Sequence, residues 1–455
     1  MDPHDSIASP SESSSQPADS QFQFISIVNP DESHDPDIRR RARSHAIKLS
    51  WRSRRRKHDE ATTEDPRDGS AAPPRLANAF PSDTLLASRL QAFLGMFAAV
   101  QAAEPVFSVR DPVVFQRFDS VFRTGLEDTA LKNAVMLTFA LAAGGGKDLN
   151  QESLGYQSSA ITSLRTKMTS VDVPALEMMP TIGAILLLAG VEARLGEREK
   201  VEIHMNGVKH LLDSCSARGI YLTDGIKRAV FWQDLNSSML TGSTRLFSHT
   251  TMMEMRWARD LASYPDWFPL PSGFRQVSHL FSEEFTEIIK DVYALQHIRD
   301  SPPFTCEDTI AMLHVDNHQA WVMSRLQPLI FHEPAWAVTK SFHLAVYLAC
   351  AVLCCKVWRK SPIPARISAE LVQAIQSAAD GDAWGQCPDL LTWMLCLGGA
   401  FASTESLRAE YVTLLRRSSQ GMHGWQELVR VLQRFIWAES AYEQDVKSFY
   451  ETYVA

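Results

Sequence analysis

The first 214 residues of this 455-residue chain contain no cysteine, and only seven follow. They are Cys215, Cys306, Cys350, Cys354, Cys355, Cys387 and Cys396, an odd number without the paired spacing of a disulfide framework. That pattern argues against a stapled secreted fold and for a reducing, intracellular compartment. Long apolar runs are missing as well. The most apolar stretch, Leu344 to Cys355, is twelve residues long and stops at Lys356, whereas a bilayer span needs about 20. Residues 1–21 hold seven Ser and three Pro and no apolar run, so no secretory signal is expected there. A soluble protein with no membrane partner is the expectation.

Acidic residues are absent from one segment. Residues 39–57 read RRRARSHAIKLSWRSRRRK, with ten Lys or Arg in nineteen positions. The whole chain carries 45 basic and 53 acidic side chains, a formal net charge of −8. Without those ten, 35 basic face 53 acidic, leaving −18 on the other 436 residues. A short segment of opposite charge is attracted to polyanions: nucleic acid, an acidic membrane surface or an acidic receptor groove.

Period-two alternation over strand lengths is scarce, and no repeat of fixed period is found. Helical periodicity fills the space instead. In 281–295, Phe281, Phe285, Ile288, Val292 and Leu295 share one face; in 201–215, Val201, Met205, Val208, Leu212 and Cys215 do. In 425–436, Trp425, Leu428, Val429, Leu432, Phe435 and Ile436 form a third stripe. Breaks are predicted where Pro and Gly cluster, at 144–146, 265–273, 301–303, 361–364 and 381–388. The fold class predicted is all-α: a large multi-helix domain over 80–455, with two lobes meeting near 300 as an open alternative. Residues 1–79 read as a disordered arm. Within it, Asp35-Pro36 starts a short basic helix over 36–58, with Ile38, Ala42, Ala46 and Leu49 as a thin apolar stripe.

Catalytic and ligand motifs are also lacking. Ala143-Gly144-Gly145-Gly146-Lys147 invites comparison with a phosphate-binding loop. Leu141 stands where that motif needs its first Gly, and Asp148 where it needs Ser or Thr; an interhelical turn is the better reading. His314 and His318 have the helical i, i+4 spacing that can place two imidazoles on one metal. No Glu follows His314 and no third ligand is indicated, so hydrogen-bonded core or border histidines are expected. Cys350, Cys354 and Cys355 lie in an apolar stretch and read as small core hydrophobes. There is no Gly-x-Ser-x-Gly elbow and no dinucleotide fingerprint. No catalytic residue, cofactor or metal is assigned, and an enzyme is not expected.

The basic segment carries the functional readings. Arg39, Arg40 and Arg41, with Arg43, form one cluster; Arg54, Arg55, Arg56 and Lys57 form a second twelve residues on, with Lys48 and Arg52 between. That is the bipartite arrangement of a nuclear import signal. The same charges would release counterions from phosphates on DNA contact, with Ser44, His45, Ser50 and Trp51 adding base or sugar contacts. A solvated basic tail, or an arm folding back on the acidic domain, is the third reading. The three stay open, and the first two are compatible.

Several motifs, in order, resemble the fungal-specific transcription factor domain, the helical regulatory region found C-terminal to six-cysteine zinc clusters in fungal regulators. Glu202 to Val208 (EIHMNGV) is similar to the family's helix with a His and then a Gly three residues on. Phe231-Trp232-Gln233-Asp234 is similar to its Trp-x-Asp segment, Leu391 to Ala400 (LTWMLCLGGA) to its Trp-Leu then Gly-Ala helix, and Phe435-Ile436-Trp437 to its terminal Phe-Leu-Trp. Phe24 to Lys57, with Asn29-Pro30 and Arg43-Ser44-His45, resembles a segment common in relatives without the zinc cluster. The resemblance spans roughly 80–440. It implies a transcriptional regulator in the nucleus, whose helical domain binds a partner protein or small effector. The partners implied are an import receptor, other transcription regulators or a second copy, and DNA through the basic helix. Family DNA binding comes from the six cysteines, so with none before Cys215 sequence-specific binding is not expected. A scaffold protein and an enzyme using the His314/His318 pair or a buried pocket are the alternative classes.

Overall fold

A computed structural model of the chain describes residues 88–90, 92–93, 128–146, 148–169, 173–222, 224–247, 268–301, 309–331, 337–353, 362–378, 384–418 and 424–454. Among them there is no strand, and the all-α expectation holds. The expected disordered arm and its basic helix lie outside the described residues.

Several helices start where a short polar side chain precedes periodic apolar positions. Asp128 caps α1 (Thr129–Ala143) by accepting from the Leu131 amide at 3.0 Å. Asn150 caps α2 (Gln151–Met168) through the Ser153 amide at 2.8 Å. Next come α3 (Ala175–Leu195), α4 (Arg198–Ala217) and α5 (Asp224–Thr241). Further along, α6 (Ser272–Gln276) and a 3-10 turn (Ser278–Leu280) lead to α7 (Glu283–Arg299), capped by Ser282 on the Phe285 amide. The chain then runs through α8 (Thr309–Phe331), α9 (Ala337–Val352), α10 (Pro362–Ser377), α11 (Pro388–Ala400), α12 (Glu405–Ser418), α13 (Trp425–Leu432) and α14 (Glu439–Val454).

Around α3 are packed α1, α2, α4, α5 and α10. One segment of α3, Glu177–Leu195, is long and apolar enough to cross a membrane by length and composition, which corrects the expectation that no apolar run reaches that length. Most of that segment is buried inside the fold, as a helix apolar on all sides is when it forms the centre of a large domain. The second half centres on α11, which packs on α9, α10, α12, α13 and α14. Helices on both sides of residue 300 belong to one compact unit, Pro74–Ala455, in which α7 packs on α8 and α9. No lobe boundary falls there. By contrast α5 reaches across, touching α3 and α4 on one side and α8 and α10 on the other.

One stripe ends earlier than its periodicity predicts. Leu428 and Leu432 face the core from α13, but the helix stops at Leu432 and Phe435 and Ile436 follow in a turn. Tertiary hydrogen bonds hold the segment that follows. The Gly273 amide donates to the Arg434 oxygen at 2.7 Å, and Trp393 Nε1 donates to the Ile436 oxygen at 2.9 Å. Phe435 then stacks on Trp393 and meets Phe274 edge to face, with centroids 5.7 and 5.1 Å apart.

Candidate functional site

The most unusual local chemistry lies along α5. Gln233, Asp234, Asn236, Ser237 and Ser238 are all buried, because α5 is covered by helices on opposite sides. Polar groups in that position need partners, and most have them. Asp234 accepts from Arg245 Nε at 2.9 Å and from the amides of Leu246 and Phe247 at 2.9 and 3.1 Å. The Arg245 guanidinium lies 4.4 Å over the Phe231 ring and donates a second bond to Ser324 of α8. Gln327, one turn on, donates to Ser238 Oγ at 2.6 Å and to the Ser243 carbonyl at 3.3 Å. Together these bonds hold the strap after α5 against α8. Burial raises the Asp234 carboxyl above the usual carboxylate range, opposed by Arg245 and the two amides. It also lowers Arg245, opposed by Asp234.

A second, partly buried ion pair, Arg325 Nη1 to Asp291 Oδ2 at 2.8 Å, joins α8 to α7. His343 lies on α9, its Nδ1 3.2 Å from the Leu329 carbonyl and its ring edge-on to Phe285 at 4.5 Å. Desolvation pulls its pKa down to about 4. These groups can fix a fold. They contain no nucleophile hydrogen-bonded to a base, and no group of three or more His, Cys, Asp or Glu that could hold a metal occurs among the described residues.

The residues singled out from sequence fall as follows. Arg39, Arg40, Arg41, Arg43, Lys48, Arg52, Arg54, Arg55, Arg56 and Lys57 lie outside the described residues, as does Lys147. Gly144 to Gly146 close α1: the Gly146 amide donates to the Leu141 carbonyl at 2.8 Å, which makes the loop a helix stop. His314 and His318 are both on α8; His318 is buried, and the His314 side chain lies outside the description. Cys350 is buried and free, and burial pushes its thiol up, away from reactivity. Cys396 is pushed up to about 12 for the same reason. Cys354 and Cys355 lie outside the described residues.

A model of the fungal specific transcription factor domain matches residues 113–451, well over half of the chain. The chain belongs to this family. The family is a regulatory domain of transcription factors and not an enzyme family. No curated protein and no solved structure matches the chain. Inside the fungal transcription factor domain, the motifs that carried the resemblance occupy packed positions. Asp234 of the Trp-x-Asp segment anchors Arg245, and Trp393 of the Gly-Ala helix stacks on Phe435 of the terminal motif. His204 is half-buried on α4, with burial as the main cause of its lowered pKa and Lys200 as the second.

Arg245, Ser324 and Gln327 carry no sequence signal of their own. The one available signal is the run of polar residues from Gln233 to Ser238 in a helix otherwise rich in apolar positions. It marks a buried polar layer without naming the distant partners.

Proposed function

We propose that the chain is a nuclear transcriptional regulator whose helical domain serves as the regulatory, partner- or effector-binding part. The family match over residues 113–451 carries this reading. The basic segment supports the rest of it: Arg39, Arg40, Arg41, Arg43, Lys48, Arg52, Arg54, Arg55, Arg56 and Lys57 would be read by an import receptor and would add electrostatic contact with DNA. Other transcription regulators, or a second copy, are the protein partners proposed.

Two experiments test it. The full chain fused to a fluorescent reporter is expected in the nucleus, and the Arg54→Ala, Arg55→Ala, Arg56→Ala variant in the cytoplasm; nuclear signal unchanged by the substitutions would sink the import role. Binding to unrelated DNA duplexes is expected to weaken steeply with salt. The variant's slope is expected to be shallower by about one for each phosphate it no longer neutralises. A flat salt response, unchanged by the substitutions, would remove the DNA contact.

A second reading rests on the family match alone: a scaffold that uses the family domain for protein contact without a regulatory role. Genome-wide crosslinking separates the two. Sharp promoter peaks support regulation, and their absence supports the scaffold.

A further inference from the structure

Besides Trp232 Nε1 and Asn236 Nδ2 on α5 itself, two buried hydrogen-bonding atoms stand outside the network around that helix. The first is Arg245 Nη2. Its neighbours are engaged, Nε with Asp234 and Nη1 with Ser324, and the side chain is only 7% exposed. Yet Nη2 makes no hydrogen bond to any described residue. The second is the hydroxyl of Tyr347 on α9, in a side chain with no exposure at all, which likewise bonds to no described residue. Native interiors rarely leave such atoms without a partner.

The packing of α8 and α9 sets Tyr347 along the stretch of α8 that Arg245 reaches. Gln319 Nε2 donates to the Cys350 carbonyl at 2.7 Å, and His343 Nδ1 meets the Leu329 carbonyl at 3.2 Å. These two rungs set an antiparallel register: the stretch 343–350 of α9 lies along 319–329 of α8. Tyr347 and Ser324 are interior to that register, and Ser324 is the residue that Arg245 bonds from the other side. The guanidinium also lies near enough to oppose the rise that burial imposes on the Tyr347 phenol. No direct bond joins them.

Charge narrows what would bridge them. Asp234 already neutralises Arg245, so an anion would bring a new unpaired charge into the interior. A neutral oxygen accepts from the guanidinium and pairs with the phenol without that penalty. We propose that Arg245 Nη2 and Tyr347 Oη form a buried site between α5, α8 and α9 for a neutral oxygen ligand, either a structural water or the hydroxyl or carbonyl oxygen of a small effector. The site is independent of the import and DNA roles.

The sign of one stability change tests it. With an oxygen in place, the full-length Tyr347→Phe variant loses a satisfied hydrogen bond, and its Tm is expected to fall by about 1–2 °C. If the hydroxyl is truly orphaned, removing it relieves a buried unpaired group; an unchanged or raised Tm therefore overturns the site. A crystal structure of the full chain is the second measurement. Density for an oxygen about 3 Å from both atoms is expected, and a dry gap overturns the proposal. Thermal shift with cyclohexanol and cyclohexanone separates the sources: a rise in Tm that Tyr347→Phe abolishes indicates an effector oxygen, and density without any such rise indicates water.

Discussion

Arg366 of α10 closes the C-terminal end of α5, donating from Nη1 to the Met239 carbonyl at 2.9 Å and also to the Leu240 carbonyl. A cation at a helix C-terminus satisfies carbonyls that have no partner within the helix and meets the negative end of its dipole. Glu370, one turn on, accepts from the guanidinium Nε at 2.9 Å. Because α5 belongs to the packing of both halves, this cap ties them together. Arg366→Ala is expected to destabilise the protein by about 2 kcal/mol, read as a lower denaturant midpoint with an unchanged m-value.

The residue beneath that cap constrains the chain further. Gly242 has a φ of +76°, and a Cβ there would overlap Arg366 Nη2. Gly242→Ala therefore combines left-handed strain of about 1 kcal/mol with displacement of the cap. Combined with Arg366→Ala, it is expected to lose less than the sum of the two single losses, which a double-mutant cycle measures.

Gly399 lies in the last turn of α11, where Ala would ordinarily gain up to about 1 kcal/mol of helix propensity. Here a Cβ would overlap the ring of Phe449 from α14. Gly399→Ala is expected to destabilise by roughly 1–3 kcal/mol instead, and Phe449→Leu in the same chain to recover part of that. Equilibrium unfolding of the three variants decides it.

His343 gives the protein an acid limit. Its folded-state pKa of about 4 lies below the ordinary 6.5, so the folded state prefers the neutral ring. That stability is fully present above pH 6.5 and is lost as pH falls toward 4, about 3 kcal/mol in all. Stability measured across that range is expected to slope downward with acidity, and the His343→Leu variant to show a shallower slope.

Glu192 has the opposite sign. Burial raises its pKa, with Lys200 opposing, and Gln157 Nε2 donates to Oε1 at 2.7 Å. A raised carboxyl favours folding below its unfolded pKa of about 4.3, and that benefit is lost as pH rises through the folded value. Glu192→Gln keeps an acceptor for Gln157 and removes the buried charge. The variant is expected to be more stable than the natural chain at pH 7, the gain vanishing near pH 4, as paired thermal melts would show.

The sequence by itself determined the helical class and most inward faces, because a 3.6-residue period in the apolar positions is a local property of the chain. Val201, Met205 and Val208 of α4, and Phe285, Ile288, Val292 and Leu295 of α7, are buried as that period requires. It also determined the family, since the ordered motifs of Phe231 to Asp234, Leu391 to Ala400 and Phe435 to Trp437 are linear. Only the tertiary structure decided which polar residues meet. Arg245 finds Ser324 across 79 positions, Arg366 finds Met239 across 127, and Trp393 reaches the Ile436 carbonyl across 43. Such partners leave no periodic trace in the chain. They are chosen by which helices pack together, and by the penalty for burying a charge or a hydrogen-bonding group without a partner.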